Sequence, residues 1–145
     1  MIEELLRKHS RLAIDSNVLI YLLVGTGELA ERAGQLIDAF DTGRAEGVLS
    51  TLSLTEVCTG PARFEDLALV ETYADEIASI ANVRIVALDA EIAVDAAILR
   101  GNGPLSIADA VHLATARDAG ATVFVTNDRG IKPVARLEVA YLDEL

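Results

Sequence analysis

A chain of 145 residues with 52% apolar residues and three prolines suits one domain with a buried core, and excludes disorder as the default. The single Cys58 excludes an internal disulfide framework, while acids in M-I-E-E-L-L-R-K-H-S and the lack of a long apolar run point to a cytoplasmic protein with no membrane segment. A formal charge of −11 argues against a surface that grips phosphates non-specifically, so a nucleic-acid role would need cations held by the acids, or the twelve lysines and arginines used locally.

Met1 to Ser10 reads as a short N-terminal extension. Arg11 to Ser16 is an apolar strand that ends at an acid, Asp15, and V-L-I-Y-L-L after it is taken as helix. Gly27 to Thr42 carries Leu29, Ala33, Leu36, Ile37 and Phe40 at helical spacing, an amphipathic helix. Gly47 to Leu52 is a buried strand, and Ser53 to Thr59 a short helix stopped by Gly60-Pro61. Phe64 to Ile80 is a second amphipathic helix whose acids face solvent, and Val83 to Leu88 is the third strand. Asp89 can cap a helix to Arg100. Asn102-Gly103-Pro104 breaks the chain before a helix from Ser106 to Ala119, which Gly120 ends. Ala121 to Thr126 is a β-branched strand, Asn127 to Val134 a turn with up to one helical turn, and Leu137 to Leu142 the last strand. Strands separated by helices predict a three-layer α/β/α fold on a central parallel sheet.

In such a sheet the segments leaving the carboxyl ends of the strands share one edge, where these folds place ligands. Asp15 and Asp128 both sit there, and Glu56 lies in the first turn of a helix that starts there. Asp109 opens a helix that runs antiparallel to the following strand. Fourteen helical residues cover roughly 21 Å and the strand roughly 17 to 20 Å, so the helix start returns to the level of Asp128. Four acids distant in sequence thus converge. Each also has a structural explanation alone: Ser53-Leu-Thr-Glu56 and Ser106-Ile-Ala-Asp109 match the capping box, Asp15 can cap the next helix, and Asp128 in T-N-D-R-G can be a turn residue.

Clustered carboxylates repel, by roughly 4 kcal/mol for unit charges 4 Å apart at an effective dielectric of about 20, and a bound dication reverses the sign. Oxygen ligands favour Mg²⁺ or Mn²⁺ over Zn²⁺. Asn17 and Thr126 stand beside Asp15 and Asp128, where they can orient a carboxylate or form turns. His112, three residues after Asp109, is either a substrate contact or a helix surface residue.

L-A-I-D-S-N-V-L-I-Y around Asp15, L-S-L-T-E-V around Glu56, L-S-I-A-D-A-V-H-L-A-T-A around Asp109 and V-F-V-T-N-D-R-G-I around Asp128 closely resemble the PIN-domain ribonucleases, especially the small VapC-type toxins of VapBC toxin–antitoxin pairs. The match runs from Leu12 to about Leu142. It implies a Rossmann-like PIN fold, Mg²⁺- or Mn²⁺-dependent endonuclease activity on RNA, a homodimer and inhibition by a cognate antitoxin. It also implies an acidic centre of Asp15, Glu56, Asp109 and Asp128 with Asn17 and Thr126 in support. Two features depart from the pattern: the ten residues before the first strand, and Ile131 where an aromatic residue is common.

The mechanism expected from these residues is metal-assisted phosphodiester hydrolysis without a protein nucleophile, with Arg129 and Lys132 beside Asp128 as phosphate contacts or ordinary solvated charges. Aspartyl-phosphate chemistry is disfavoured because Asp15-Ser-Asn17 lacks the second acid of a D-x-D motif. The competing reading is a catalytically silent PIN-like binding or scaffold module.

Overall fold

The computed structural model describes residues 1–145. Five strands, β1 (Arg11–Ile14), β2 (Glu46–Ser50), β3 (Val83–Val86), β4 (Val123–Thr126) and β5 (Glu138–Tyr141), form one sheet in the order β3-β2-β1-β4-β5. Every pairing is parallel, with Leu12 opposite Gly47 on one side and Val123 on the other. Seven α-helices complete the fold: α1 (Ile2–Lys8), α2 (Ser16–Val24), α3 (Glu28–Asp41), α4 (Leu52–Arg63), α5 (Leu67–Ala78), α6 (Ala90–Gly101) and α7 (Ile107–Asp118).

Successive side chains of a strand point to opposite faces, and this alternation builds two cores. Leu12, Ile14, Leu49, Val123 and Val125 face one side, where they pack with Leu19 of α2, Leu36 and Phe40 of α3 and Ile77 of α5. Ala13, Val48 and Phe124 face the other, against Ile92, Ala96 and Leu99 of α6 and Leu113 of α7. The layers are those expected of a three-layer α/β/α fold.

The chain order decides where a ligand can sit. From β1 it moves outward through β2 to β3, then returns to the far side of β1 for β4 and β5. The strand order therefore reverses at β1, and the crevice at the carboxyl ends of β1 and β4 is the switch point where open α/β sheets bind ligands.

In the N-terminal extension Ile2–Lys8 is helical, and Ile2 is buried in the first core. Three local expectations need correction. Gly60-Pro61 does not stop its helix, which runs on to Arg63 with Pro61 buried inside it. Pro61 falls in the last turn, so its missing N–H leaves only the Val57 carbonyl without its usual partner. The stretch from Asn127 to Val134 contains no helical turn, and the last strand stops at Tyr141, giving way to a 3₁₀ turn over Leu142–Glu144. No helix is long and apolar enough to cross a membrane.

Candidate active site at the switch point

Asp15 follows the last residue of β1, and its backbone N–H donates to the Val125 carbonyl of β4 at 2.9 Å. It is the N-cap of α2: Oδ1 accepts from the Ser16 N–H at 2.8 Å, closing one open donor of that helix. The Thr126 hydroxyl donates to Oδ2 at 2.7 Å, and Asn17 Nδ2 approaches the same oxygen at 3.4 Å. Asp15 is thus only 6% exposed and is fixed from both neighbouring elements.

Thr126, the last residue of β4, is completely buried. Because its hydroxyl proton goes to Asp15, its lone pairs are free to accept, from Asn17 Nδ2 at 3.2 Å and from the Asp128 N–H at 3.0 Å. Asn17 Oδ1 in turn accepts from the Asn127 N–H at 3.3 Å. Asn17 and Thr126 therefore stitch the loop after β4 to the start of α2.

Asp128 is exposed, and one of its oxygens accepts from the Gly130 N–H at 2.8 Å, so the turn geometry and an acidic role coexist. Asp109 is the third residue of α7, where its N–H donates to Ser106 Oγ at 3.1 Å. Burial pushes the Asp109 carboxyl above the ordinary aspartate range. The nearby charges of Asp15 and Asp128 push it the same way, while the Ser106 hydroxyl and His112 offset part of the rise.

Glu56 behaves differently. Helix α4 begins at Leu52, with Thr51 as an N-cap that makes no side-chain bond, so Glu56 lies in the second turn and no capping box forms. The Ser53 hydroxyl that would have made it is buried without a partner. Glu56 Oε1 instead accepts from Ser16 Oγ at 3.0 Å and is hydrogen-bonded to His112 Nε2. The His112 bond holds the Glu56 carboxyl below the usual glutamate range, against the opposing effect of burial. His112 is 3% exposed. It is neither a surface residue nor an open substrate contact but an internal partner of Glu56. Ser16, which touches both Glu56 and Asp15 (Oδ1, 3.3 Å), links the fourth acid to the other three. A polar Ser-Asn pair between an apolar strand and an apolar helix was the sequence signal for it.

The structure therefore brings Asp15, Asp109 and Asp128 within electrostatic reach of one another, with Glu56 attached through Ser16. They are neighbours rather than a finished cage, since no three acidic or histidine side chains form a chelating group. None of the three aspartates is ion-paired to a lysine or arginine, so no basic side chain of that kind neutralises their charge. Arg129, next to Asp128, is already engaged: it pairs with Asp143 at 2.7 Å and Glu144 at 3.2 Å and lies 4.1 Å from the Tyr141 ring centroid. Lys132 makes no ion pair, and its ammonium is 5.9 Å from the same ring.

The fold is shared with known structures. FitAcB from Neisseria gonorrhoeae is 22% identical, with 92% of this chain and 99% of that one covered at a TM-score of 0.73. VapBC2 from Rickettsia felis, solved bound to a promoter DNA fragment, is 15% identical, covering 90% and 98% at a TM-score of 0.71. Mycobacterium tuberculosis VapC20, described as a Sarcin-Ricin loop cleaving toxin, is 17% identical, covering 78% and 86% at a TM-score of 0.62. No curated protein sequence matches the chain. The PIN domain family model, however, matches residues 12–137, a span that takes in all four acids, Asn17 and Thr126, and the chain belongs to the PIN-domain family.

Proposed function

We propose that this chain is a metal-dependent endoribonuclease that hydrolyses RNA phosphodiester bonds in the cytoplasm, as the toxin of a type II toxin–antitoxin pair. The observation that carries the reading is the trio of Asp15, Asp109 and Asp128, unpaired with lysine or arginine, at the switch point of a PIN fold. Like charges already raise the Asp109 carboxyl, and three oxygen-donor side chains with no cationic partner suit a hard dication such as Mg²⁺ or Mn²⁺. The similar structures point the same way: one is described as a Sarcin-Ricin loop cleaving toxin and another, from Klebsiella pneumoniae, as a toxin–antitoxin complex. A homodimer and a cognate antitoxin are accordingly the proposed partners.

Asp15, Asp109 and Asp128 would hold the ion, with Glu56 completing the acidic set. Bound there, it would lower the pKa of a water and offset charge growing on the phosphoryl oxygens. The chain's own part is positioning. Thr126 and Asn17 fix the Asp15 carboxylate from β4 and α2, and His112 and Ser16 fix Glu56 at the edge of the site. One observation favours the alternative of a silent binding module: Glu56 is already held by His112, with no chelating group complete.

Incubating a labelled mixed RNA pool with the protein in Mg²⁺, Mn²⁺ or EDTA separates the two. The nuclease reading expects metal-dependent cleavage that Asp15→Asn and Asp109→Asn abolish while their far-UV spectra stay native. Full activity in either variant contradicts it, and no cleavage by the unaltered chain in either metal supports the silent module.

A further inference from the structure

Among twelve basic residues, Lys8, Arg11, Arg32, Arg44 and Arg129 are paired with carboxylates. Two of the remaining seven, Arg117 and Lys132, share one place, the groove between the α6–α7 connection and the β4–β5 connection. The groove measures about 590 Å³ and is lined by Arg117 and Lys132 but by no acid, in a chain whose net charge is −11. Arg117 donates to the Ala135 carbonyl at 3.3 Å and Arg100 to the Leu105 carbonyl at 3.1 Å, so these two cations also brace its walls. Its apolar lining includes Pro104, Leu105, Pro133 and Val134. Gly130 lines the groove and donates to the Asp128 carboxylate, which sets one end of the groove beside the acidic centre.

We propose that this groove carries single-stranded RNA away from the acidic centre, with phosphates on Lys132 and Arg117 and an unstacked base against the aliphatic and prolyl floor. The proposal rests on the nuclease reading for its orientation and names the substrate form that reading leaves open. Three features select this occupant. Cations without acid partners attract a polyanion that the rest of the surface repels. The volume falls within the roughly 300–1,000 Å³ of small-ligand sites, enough for a splayed nucleotide. An apolar floor rewards a base out of its stack, which a duplex does not present.

The magnitude follows from counterion release. Each phosphate contact to a single strand contributes about −0.7 to the slope of log K against log salt. Losing one contact therefore weakens binding about fivefold at 0.1 M salt relative to 1 M, and losing two about 25-fold. The test is fluorescence anisotropy of a labelled mixed-sequence single-stranded RNA with the Asp15→Asn chain, which leaves the RNA uncut. In that background Lys132→Gln should weaken binding about fivefold and flatten the salt slope by about 0.7, and adding Arg117→Gln should double both logarithmic effects. Arg84→Gln, on the opposite edge strand β3, serves as the charge control and should stay within about twofold. Thermal melts of each variant guard against misfolding, and Lys132, being exposed, is safe to change. Equal binding by the Lys132→Gln and Arg84→Gln chains overturns the proposal. So does a Lys132→Gln variant whose only change is its sedimentation, since the groove would then be an interface between copies. Unaltered protein that binds RNA through these two residues yet never cuts it in Mg²⁺ or Mn²⁺ supports the groove and removes the nuclease reading alone.

Discussion

Thr126 offers the sharpest test of how the site is held. Its hydroxyl donates to Asp15 at 2.7 Å and accepts from Asn17 at 3.2 Å and from the Asp128 N–H at 3.0 Å, all in a fully buried position. Thr126→Val keeps the side-chain shape and deletes all three bonds. The bond to the ionised carboxylate contributes about 1.5–3 kcal/mol. The other two losses are smaller, because Asn17 Nδ2 still reaches Asp15 at 3.4 Å and Asp128 is an exposed residue whose N–H can meet water. Asp15 also keeps its bond from the Ser16 N–H. A net loss of about 2 kcal/mol is expected, a roughly 30-fold change in the folding equilibrium, which at this chain length lowers Tm by about 6 °C. Urea denaturation monitored by circular dichroism measures it. Thr126→Ser should recover most of the loss, since it restores the hydroxyl and leaves only a methyl-sized gap. A valine variant within about 0.5 kcal/mol of the unaltered protein would refute the claim that this hydroxyl anchors the acidic site.

Asp109→Asn should be inactive and yet more stable than the unaltered chain at neutral pH without metal, because it removes a charge that burial and two neighbours disfavour. The sign is fixed by linkage: the folded-state pKa of Asp109 is raised, so its destabilisation is complete above that pKa and disappears as pH falls through it towards the unfolded value, and chemical denaturation across the acid range should show the two chains converging. His112→Ala should cost about 3 kcal/mol by emptying a buried site and stranding Glu56. Because the His112 bond lowers the Glu56 pKa, that contribution is present above the unfolded glutamate value and lost as pH falls through the folded one, so the gap to the unaltered protein narrows in acid. Asp143→Asn with Glu144→Gln frees the Arg129 guanidinium, and single-stranded RNA affinity at 0.1 M salt should rise about fivefold. Arg129→Gln in the same background should reverse that gain, and a gain that persists would assign it to the lost acidic charge alone.

Hydrophobic periodicity exposed the alternation of strands and helices, since apolar residues at period two or 3.6 are a local property of the chain. That was enough to set Asp15, Asp109 and Asp128 at one edge of one sheet. Pairings between distant elements leave no periodic trace. Glu56 and His112 are 56 residues apart, and T-E-V gives no hint that its acid turns to α7 rather than to the start of its own helix. Arg129 likewise looked free until the terminal Asp143 and Glu144 folded back on it. At Pro61 a generally sound rule met an exception, because a proline in the last turn of a helix breaks little. The leading segment was too short for a periodic signal, and its helix is anchored by the burial of Ile2, a tertiary effect.

The central claim is that the aspartates' clustered charge is relieved by a hard dication. Calorimetric titration of Mn²⁺ into the unaltered chain and the Asp15→Asn, Asp109→Asn double variant measures it directly, with thermal melts run in parallel. Saturable binding and a raised Tm in the unaltered chain, both lost in the double variant, are the predicted result, with about 2.7 kcal/mol of added stability when free metal is 100 times Kd. No saturable binding to the unaltered chain, or equal binding by both, would contradict it.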